Sequence, residues 1–142
     1  MLNKPIGLFG GTFDPIHHGH LQTAERLCTD LKLTQIFFIL CKQPVLKPAA
    51  RATAQQRLDM LALALKNYSQ FTVDKRELTR DTPSYTIDTL KSYQQEMPNT
   101  PLYFILGIDA FLQLPQWYQW QQLLDYCHLI IINRPNYKID NH

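Results

Sequence analysis

The chain has 142 residues, of which 45% are hydrophobic and 18% are charged, which is enough for one domain with a buried core. Its formal net charge of +2 is too small to indicate a nucleic-acid or membrane partner. The three cysteines show no Cys-x-x-Cys spacing, so neither a disulfide framework nor a zinc site is indicated, and a cytoplasmic location is expected. No apolar stretch reaches the roughly 18 residues that a membrane span needs. We therefore predict a single soluble domain over residues 1–142.

Strand-like apolar runs alternate with segments of helical periodicity along the chain. The predicted strands are 6–9, 36–40, 71–73, 102–106 and 128–132. The predicted helices are 21–31, 53–68 and 87–97, followed by a helix or a pair of short helices over 110–126, bent at Pro115. This alternation predicts an α/β fold, a Rossmann-like doubly wound parallel sheet in three α/β/α layers. Ligands of such a sheet bind beyond the carboxyl ends of the strands.

A glycine- and histidine-rich stretch separates the first strand from the first helix: Gly10-Gly11-Thr12-Phe13-Asp14-Pro15-Ile16-His17-His18-Gly19-His20. Paired glycines allow a sharp turn and a close approach to a ligand, and a helix start offers N–H groups and a positive dipole to an anion. His17 and His20 are three residues apart, so both rings can face one side and donate to phosphate oxygens. The spacing is neither a Walker loop nor the dinucleotide fingerprint. We predict a phosphate-binding loop, with surface histidines in a glycine-rich turn as the alternative.

Three later segments carry polar or aromatic groups where strands end or helices begin. The hydroxyl-rich segment 81–90 opens a helix that could bind an anion, including a carboxylate, although such residues are also ordinary caps. Gly107-Ile108-Asp109 follows a strand and could hold ribose hydroxyls, or Asp109 could simply start a helix. Trp117 could stack on a flat ring or pack in the core.

In this order, the motifs resemble those of the bacterial nicotinate-nucleotide adenylyltransferases, within the nucleotidylyltransferase superfamily. The resemblance runs nearly end to end and rests on the glycine-histidine stretch, Pro83 to Leu90, Gly107-Ile108-Asp109, Pro115 to Tyr118 and Asn133-Arg134-Pro135. It implies a cytoplasmic enzyme of NAD biosynthesis. The 5'-phosphate of nicotinate mononucleotide would attack the α-phosphate of ATP, giving nicotinate adenine dinucleotide and pyrophosphate. The resemblance also implies that Mg²⁺ assists and that no covalent protein intermediate forms.

The resemblance further assigns roles to individual residues. It implies that His17 and His20 stabilise the pentacovalent α-phosphate. The ATP-binding residues it implies are Gly10, Gly11, Thr12, Phe13, His20, Gly107 and Asp109. The residues it implies for nicotinate mononucleotide are Lys47, Tyr85, Thr86, Trp117 and Arg134. The helix start at Tyr85 and Thr86 would take the nicotinate carboxylate and Trp117 would stack on the pyridine ring, so the acid should be preferred over the neutral amide. No protein ligand for a metal is predicted.

Two departures from the family pattern qualify these expectations. In the loop after the second strand, Cys41 and Leu46 stand where relatives carry a polar residue and a histidine, which leaves Lys42 as a substitute for phosphate contacts. The family's C-terminal Ile-Ser-Ser/Ala-Thr-x-Ile-Arg motif, which clamps the ATP phosphates, is absent from the sequence up to His142. We therefore expect a C-terminally truncated domain that lacks the usual last strand and helix. Such a domain should turn over slowly and could form a homo-oligomer through its exposed apolar edge.

Three alternatives remain open at this point. The chain could be a non-catalytic, nucleotide-binding remnant that keeps the loop and loses turnover. It could be a sister adenylyltransferase acting on phosphopantetheine, or a piece of a class I aminoacyl-tRNA synthetase, because both share a His-x-Gly-His loop. The synthetase needs a basic RNA-binding surface that a net charge of +2 does not supply, and neither enzyme explains the aromatic and Ser-Tyr-Thr segments.

Overall fold

The computed structural model describes residues 3–11, 13, 16–41, 52–79 and 85–133. The strands are β1 (Ile6–Gly11), β2 (Ile36–Leu40), β3 (Phe71–Asp74), β4 (Leu102–Gly107) and β5 (His128–Ile132). The α-helices are α1 (His18–Leu31), α2 (Ala54–Leu65), α3 (Thr86–Glu96) and α4 (Ile108–Leu112). Three short 3₁₀ helices lie at Arg76–Leu78, Leu114–Gln116 and Trp120–Asp125. All five predicted strands are confirmed. The expectation about a missing C-terminal strand and helix concerns the chain after Asn133, which lies outside the described residues.

The five strands form one parallel sheet in the order β3-β2-β1-β4-β5. Leu8 of β1 lies opposite Phe37 of β2 on one side and Phe104 of β4 on the other. The chain first builds outward from β1 through β2 to β3 and then returns to the other side of β1 for β4 and β5. The crevice beyond the carboxyl ends of β1 and β4 is therefore the topological switch point, where doubly wound sheets bind ligands.

Each face of the sheet is covered by its own apolar core, which confirms the predicted three layers. Helices α1 and α2 cover one face, where Phe38, Leu61 and Ile105 are buried among their neighbours. Helix α3 and the 3₁₀ helices cover the other face, around Leu90 and Leu106. Burying one such side chain completely contributes about 1.5–3 kcal/mol. Continuous apolar strands are what a sheet covered on both faces requires.

The helix boundaries follow local signals, with two differences from expectation. The predicted capping box of α2 is confirmed: Thr53 Oγ1 accepts from Gln56 N at 3.1 Å, and Gln56 Oε1 accepts from Thr53 N at 2.9 Å. Helix α2 ends at Leu65, earlier than expected from its periodicity. The segment 110–126 is mostly 3₁₀ helix, because Pro115 cannot donate a helical hydrogen bond and Gln119 adopts a left-handed φ of 51°. None of the helices within the described ranges is long and apolar enough to cross a membrane.

Candidate active site

The carboxyl end of β1 departs from the expected glycine turn. Gly10 and Gly11 are still extended strand residues, and none of the five glycines, all of which the structure describes, has a positive φ. The left-handed residue is Phe13, with a φ of 46°, a conformation that costs a non-glycine residue about 1–3 kcal/mol. Burial compensates this cost, because the Phe13 ring is 4% exposed and its centroid lies 5.5 Å from that of Phe9.

The two glycines are required for space at the end of the strand. A Cβ on Gly10 would lie 3.1 Å from Cζ of Phe104, and a Cβ on Gly11 would lie 3.2 Å from Cζ of Phe13. Both separations are shorter than ordinary van der Waals contact. The absence of side chains therefore lets one aromatic ring pack against each of these residues.

The histidines at the start of α1 support each other through their Nδ1 atoms. His17 is the N-cap, and its Nδ1 accepts from Gly19 N at 3.1 Å. His20 Nδ1 accepts in turn from His17 N, also at 3.1 Å. A neutral imidazole whose Nδ1 accepts carries its proton on Nε2. The rings stack with centroids 3.8 Å apart and 28° between their planes. The structure thus brings these two predicted residues together, with Nε2–H as the donor on each ring.

His20 is uncharged at neutral pH because its ring is largely buried. The edges of Phe9 and Phe13 lie against it, with ring centroids 5.9 Å and 5.2 Å away. Burial, and secondarily the neighbouring His17, lowers the pKa of His20 from 6.5 to about 4. A negative ligand beside the ring would favour the protonated form and oppose this shift. The ring is therefore a neutral donor that responds to negative charge placed next to it.

The end of β4 comes to the same edge of the sheet. Phe9 of β1 pairs with Ile105 of β4, and each strand ends two residues later, at Gly11 and Gly107 respectively. Gly107 is the N-cap of α4, and a Cβ there would meet no atom within 4 Å. Asp109 lies in the first turn of α4 and is half-buried. Gly107 and Asp109 therefore border the switch-point crevice.

The aromatic residues meet at the start of α3. Tyr85 is the N-cap of α3, but its side chain makes no capping hydrogen bond. Its ring lies against that of Tyr118, with centroids 4.6 Å apart. Trp117 is half-buried and sets its edge against Phe104 at 6.5 Å, the same ring that packs against Gly10. Trp117 thus packs on the core and links the α3 side of the site to the end of β1.

Several predicted site residues cannot be located. Thr12, Lys47 and Arg134 lie outside the described residues, as do Lys42 and Leu46 of the atypical loop. The predicted positions that the structure brings to one edge of the sheet are Gly10, Gly11, Phe13, His17, His20, Gly107 and Asp109.

A polar network at the end of β3 is not evident from the sequence. Both carboxylate oxygens of Asp74 are bonded by Arg76, through its N and its Nε at 2.8 Å each, and the buried Tyr93 hydroxyl also donates to Asp74. Arg76 Nη1 continues to Ser92 Oγ and Glu96 Oε2, both at 2.6 Å. Burial, followed by the hydrogen bond to Asp74, raises the pKa of Tyr93. The network ties β3 to α3 and thereby fixes the helix whose first turn borders the site.

A second hydrogen bond, which is buried, joins the chain after β3 to α3. A separate buried polar side chain, Arg57, lies on α2. Thr89 Oγ1 donates to Glu77 Oε2 at 2.6 Å, which joins the 3₁₀ helix after β3 to the first half of α3. The guanidinium of Arg57 is buried beside the end of β2. In the sequence, the one signal for these hydrogen bonds is Asp74, an acidic residue at the end of the apolar run of β3.

Comparisons with known proteins relate this arrangement to one family. The family model described as Cytidylyltransferase-like matches residues 8–142. A protein of Legionella pneumophila named "Probable nicotinate-nucleotide adenylyltransferase" is 46% identical over 93% of this chain and 63% of its own length. A protein of the same name from Yersinia enterocolitica is 50% identical over 92% of this chain and 60% of its own length. The chain thus spans less than two thirds of the length of these relatives.

A solved structure shares the fold. It is titled Plasmodium falciparum nicotinic acid mononucleotide adenylyltransferase complexed with NaAD. It superposes with a TM-score of 0.77 at 26% identity, covering 97% of this chain and 68% of that one. A second structure of the Plasmodium protein, complexed with APC, has a TM-score of 0.75 at 25% identity.

Proposed function

The chain belongs to the Cytidylyltransferase-like family, and on that premise we propose that it transfers the adenylyl group of ATP to nicotinate mononucleotide. The products are nicotinate adenine dinucleotide and pyrophosphate. The names of the curated relatives and the NaAD complex of the Plasmodium structure support this choice of substrates. The sister enzyme acting on phosphopantetheine and the synthetase fragment have no comparable support.

The observation that carries the proposal is the pair of imidazoles at the start of α1. A phosphate oxygen of nicotinate mononucleotide attacks the α-phosphorus, and the bond from that phosphorus to the oxygen bridging to the β-phosphate breaks. The nucleophile is already an anion, so alignment and charge stabilisation are needed and a general base is not. Negative charge grows on the α-phosphate oxygens, where His17 and His20 donate through Nε2. Donors held in advance by their Nδ1 bonds need no reorganisation during the reaction.

The neutral state of His20 suits this task. A neutral donor contributes less than a cation to binding the substrate in its ground state, and its hydrogen bond strengthens as charge develops on the acceptor. Only interactions that are stronger in the transition state accelerate the chemical step. The depressed pKa of His20 thus makes its ring a neutral donor before ATP binds.

We propose that ATP lies across the switch-point crevice. The main chain of Gly10, Gly11, Thr12 and Phe13 runs along its phosphates, and Gly107 and Asp109 meet its adenosine. The open surroundings of Gly107 support this placement.

Nicotinate mononucleotide is proposed to bind beside the start of α3. N–H groups at Tyr85 and Thr86 receive the nicotinate carboxylate, Trp117 stacks on the pyridine ring, and Lys47 and Arg134 contact the phosphate. A helix N-terminus without a side-chain cap retains donors for an anion, and Trp117 keeps part of its surface exposed. The helix N-terminus supports a preference for the acid, because only the acid carries a negative charge there, and the exposed part of Trp117 supports stacking on the ring.

Protein ligands for Mg²⁺ find no support in the described part of the chain. No group of three or more His, Cys, Asp or Glu side chains there could hold a metal ion. We propose that Mg²⁺ would enter with ATP and would neutralise part of the charge on its phosphates.

The test is pyrophosphate release from ATP in the presence of nicotinate mononucleotide. We expect the His20→Ala and His17→Ala variants to lose on the order of 10²–10³ in rate, the loss measured when one preorganised donor is removed. The His18→Ala variant is the matched control, because His18 is adjacent and exposed, and it should retain the parent rate. ATP binding without any pyrophosphate release would instead indicate a non-catalytic nucleotide-binding protein.

A further inference from the structure

Arg57 is the largest fully buried side chain among the residues that the structure describes. It lies in the first half of α2 and is 1% exposed. Its Nη1 donates to the carbonyl oxygen of Cys41 at 2.6 Å, and its Nε donates to that of Ala52 at 3.3 Å. A buried cation is costly unless it is hydrogen-bonded. These bonds therefore fix the guanidinium, and the guanidinium in turn fixes the two carbonyl groups.

The two carbonyl groups belong to distant points of the chain. Cys41 directly follows β2, and Ala52 directly precedes Thr53, the N-cap of α2. One guanidinium therefore joins the main chain on both sides of segment 42–51. An arginine is suited to this, because its planar fork presents several donors in fixed directions, whereas a lysine offers a single nitrogen.

Cys41 connects this tie to the end of β1. Its N–H donates to the carbonyl oxygen of Gly11 at 2.9 Å, one bond beyond the last β1–β2 pair, Gly11 with Leu40. Cys41 is thus held through its N–H by β1 and through its carbonyl by Arg57. Because a peptide group is planar, fixing the Gly11 carbonyl also fixes the direction in which the chain leaves β1.

Building on the function proposed above, we propose that Arg57 is a positioning residue for the ATP site. It holds Cys41, and through Cys41 it holds the end of β1 in the geometry that presents Gly10 and Gly11 to the phosphates of ATP. Arg57 does not touch the substrate in this proposal. Its effect should therefore be local to the β1–β2 end of the site and absent from the centre of the sheet.

The experiment compares Arg57→Lys with Arg26→Lys. Arg26 is exposed on α1, so the second variant makes the same chemical change outside the buried site. Amide hydrogen exchange without ligand is measured at Cys41 and, for reference, at Leu8 and Ile105 in the centre of the sheet. A calorimetric titration then gives the dissociation constant for ATP with Mg²⁺. Arg57→Met, which removes the charge, is measured alongside.

We expect Arg57→Lys to speed exchange at Cys41 and to weaken ATP binding, each by about tenfold, the factor for losing one hydrogen bond to a charged group. Exchange at Leu8 and Ile105 and every value for Arg26→Lys should stay at the parent level. Unchanged exchange at Cys41, or equally faster exchange at all three amides, would overturn the proposal. If the parent binds no ATP, the proposed function fails, and the ligand-free exchange data alone decide whether Arg57 holds Cys41. If Arg57→Met does not fold, the results for Arg57→Lys alone test the proposal.

Discussion

The depressed pKa of His20 makes the stability of the protein depend on pH in a way that one substitution should remove. The folded state holds this pKa at about 4, against 6.5 for an ordinary histidine. Between these pH values the unfolded chain binds more protons than the folded one. The free energy of unfolding therefore decreases as the pH falls from 6.5 towards 4. Replacing His20 with asparagine removes the titration, and the amide oxygen can still accept from His17 N.

The size of the effect follows from the two pKa values. Between about pH 7 and about pH 4.5, linkage for the full shift amounts to about 2.4 kcal/mol of unfolding free energy. The ring remains partly exposed, and solvent screening reduces the expected difference to about 1–2 kcal/mol. Urea unfolding of the parent and of His20→Asn at both pH values measures it. The parent should lose that much more stability on acidification than His20→Asn does.

The exposed neighbour His18 provides the control for this experiment. His18→Asn removes one histidine from the same helix turn without touching the buried ring, so it should keep the full pH dependence of the parent. Equal acid destabilisation of the parent and His20→Asn would show that the His20 ring is not held neutral by burial. The argument that a neutral donor acts on the developing charge would then fail with it.

Three further substitutions test the packing around the site and the polar network at the end of β3. Gly10→Ala places a Cβ 3.1 Å from the buried Phe104 ring and should cost about 1–3 kcal/mol in urea unfolding. In Gly107→Ala the new Cβ meets no atom within 4 Å, so the free energy of unfolding should change by less than about 0.5 kcal/mol. The same variant should bind ATP more weakly in calorimetry. An unchanged ATP affinity would remove Gly107 from the proposed adenosine site. Tyr93→Phe deletes a buried hydroxyl that donates to Asp74 and should cost about 1–3 kcal/mol. Tyr68→Phe, at a half-buried ring stacked on Phe71, is its control, and equal unfolding free energies for the two variants would contradict the role of the network.

The parts of this structure that depend on local chemistry could be predicted from the sequence. The continuous apolar runs of β1, β2 and β4 suit only a sheet covered on both faces, and the Thr53–Gln56 spacing identifies the start of α2. Gly107-Ile108-Asp109 was expected at a strand end beside the glycine-histidine stretch, and the parallel sheet puts both at one edge.

Other features depend on contacts between residues far apart in the chain and could not be predicted in this way. Glycines in a loop motif suggest left-handed backbone at the glycines, but the residue with a positive φ is Phe13, because burial of that ring outweighs the strain of its backbone. In the sequence, Arg57 is one polar residue among others in an amphipathic helix, and only its contact with the end of β2 shows its role. The bond between Tyr93 and Asp74 likewise spans 19 residues, and only the packing of α3 on the sheet brings the two together.

A competition between the acid and amide forms of the acceptor nucleotide tests the proposed reaction as a whole. The chain is supplied with ATP, Mg²⁺ and equal amounts of nicotinate and nicotinamide mononucleotides, and the two dinucleotide products are separated and quantified. A charged acceptor bonded by N–H groups at the start of α3 is worth about 1.5–3 kcal/mol over a poorly matched neutral group, so the acid product should exceed the amide product by at least about tenfold. Equal amounts of both products, or no dinucleotide at all while pyrophosphate is released, would contradict acid-specific adenylyl transfer by this chain.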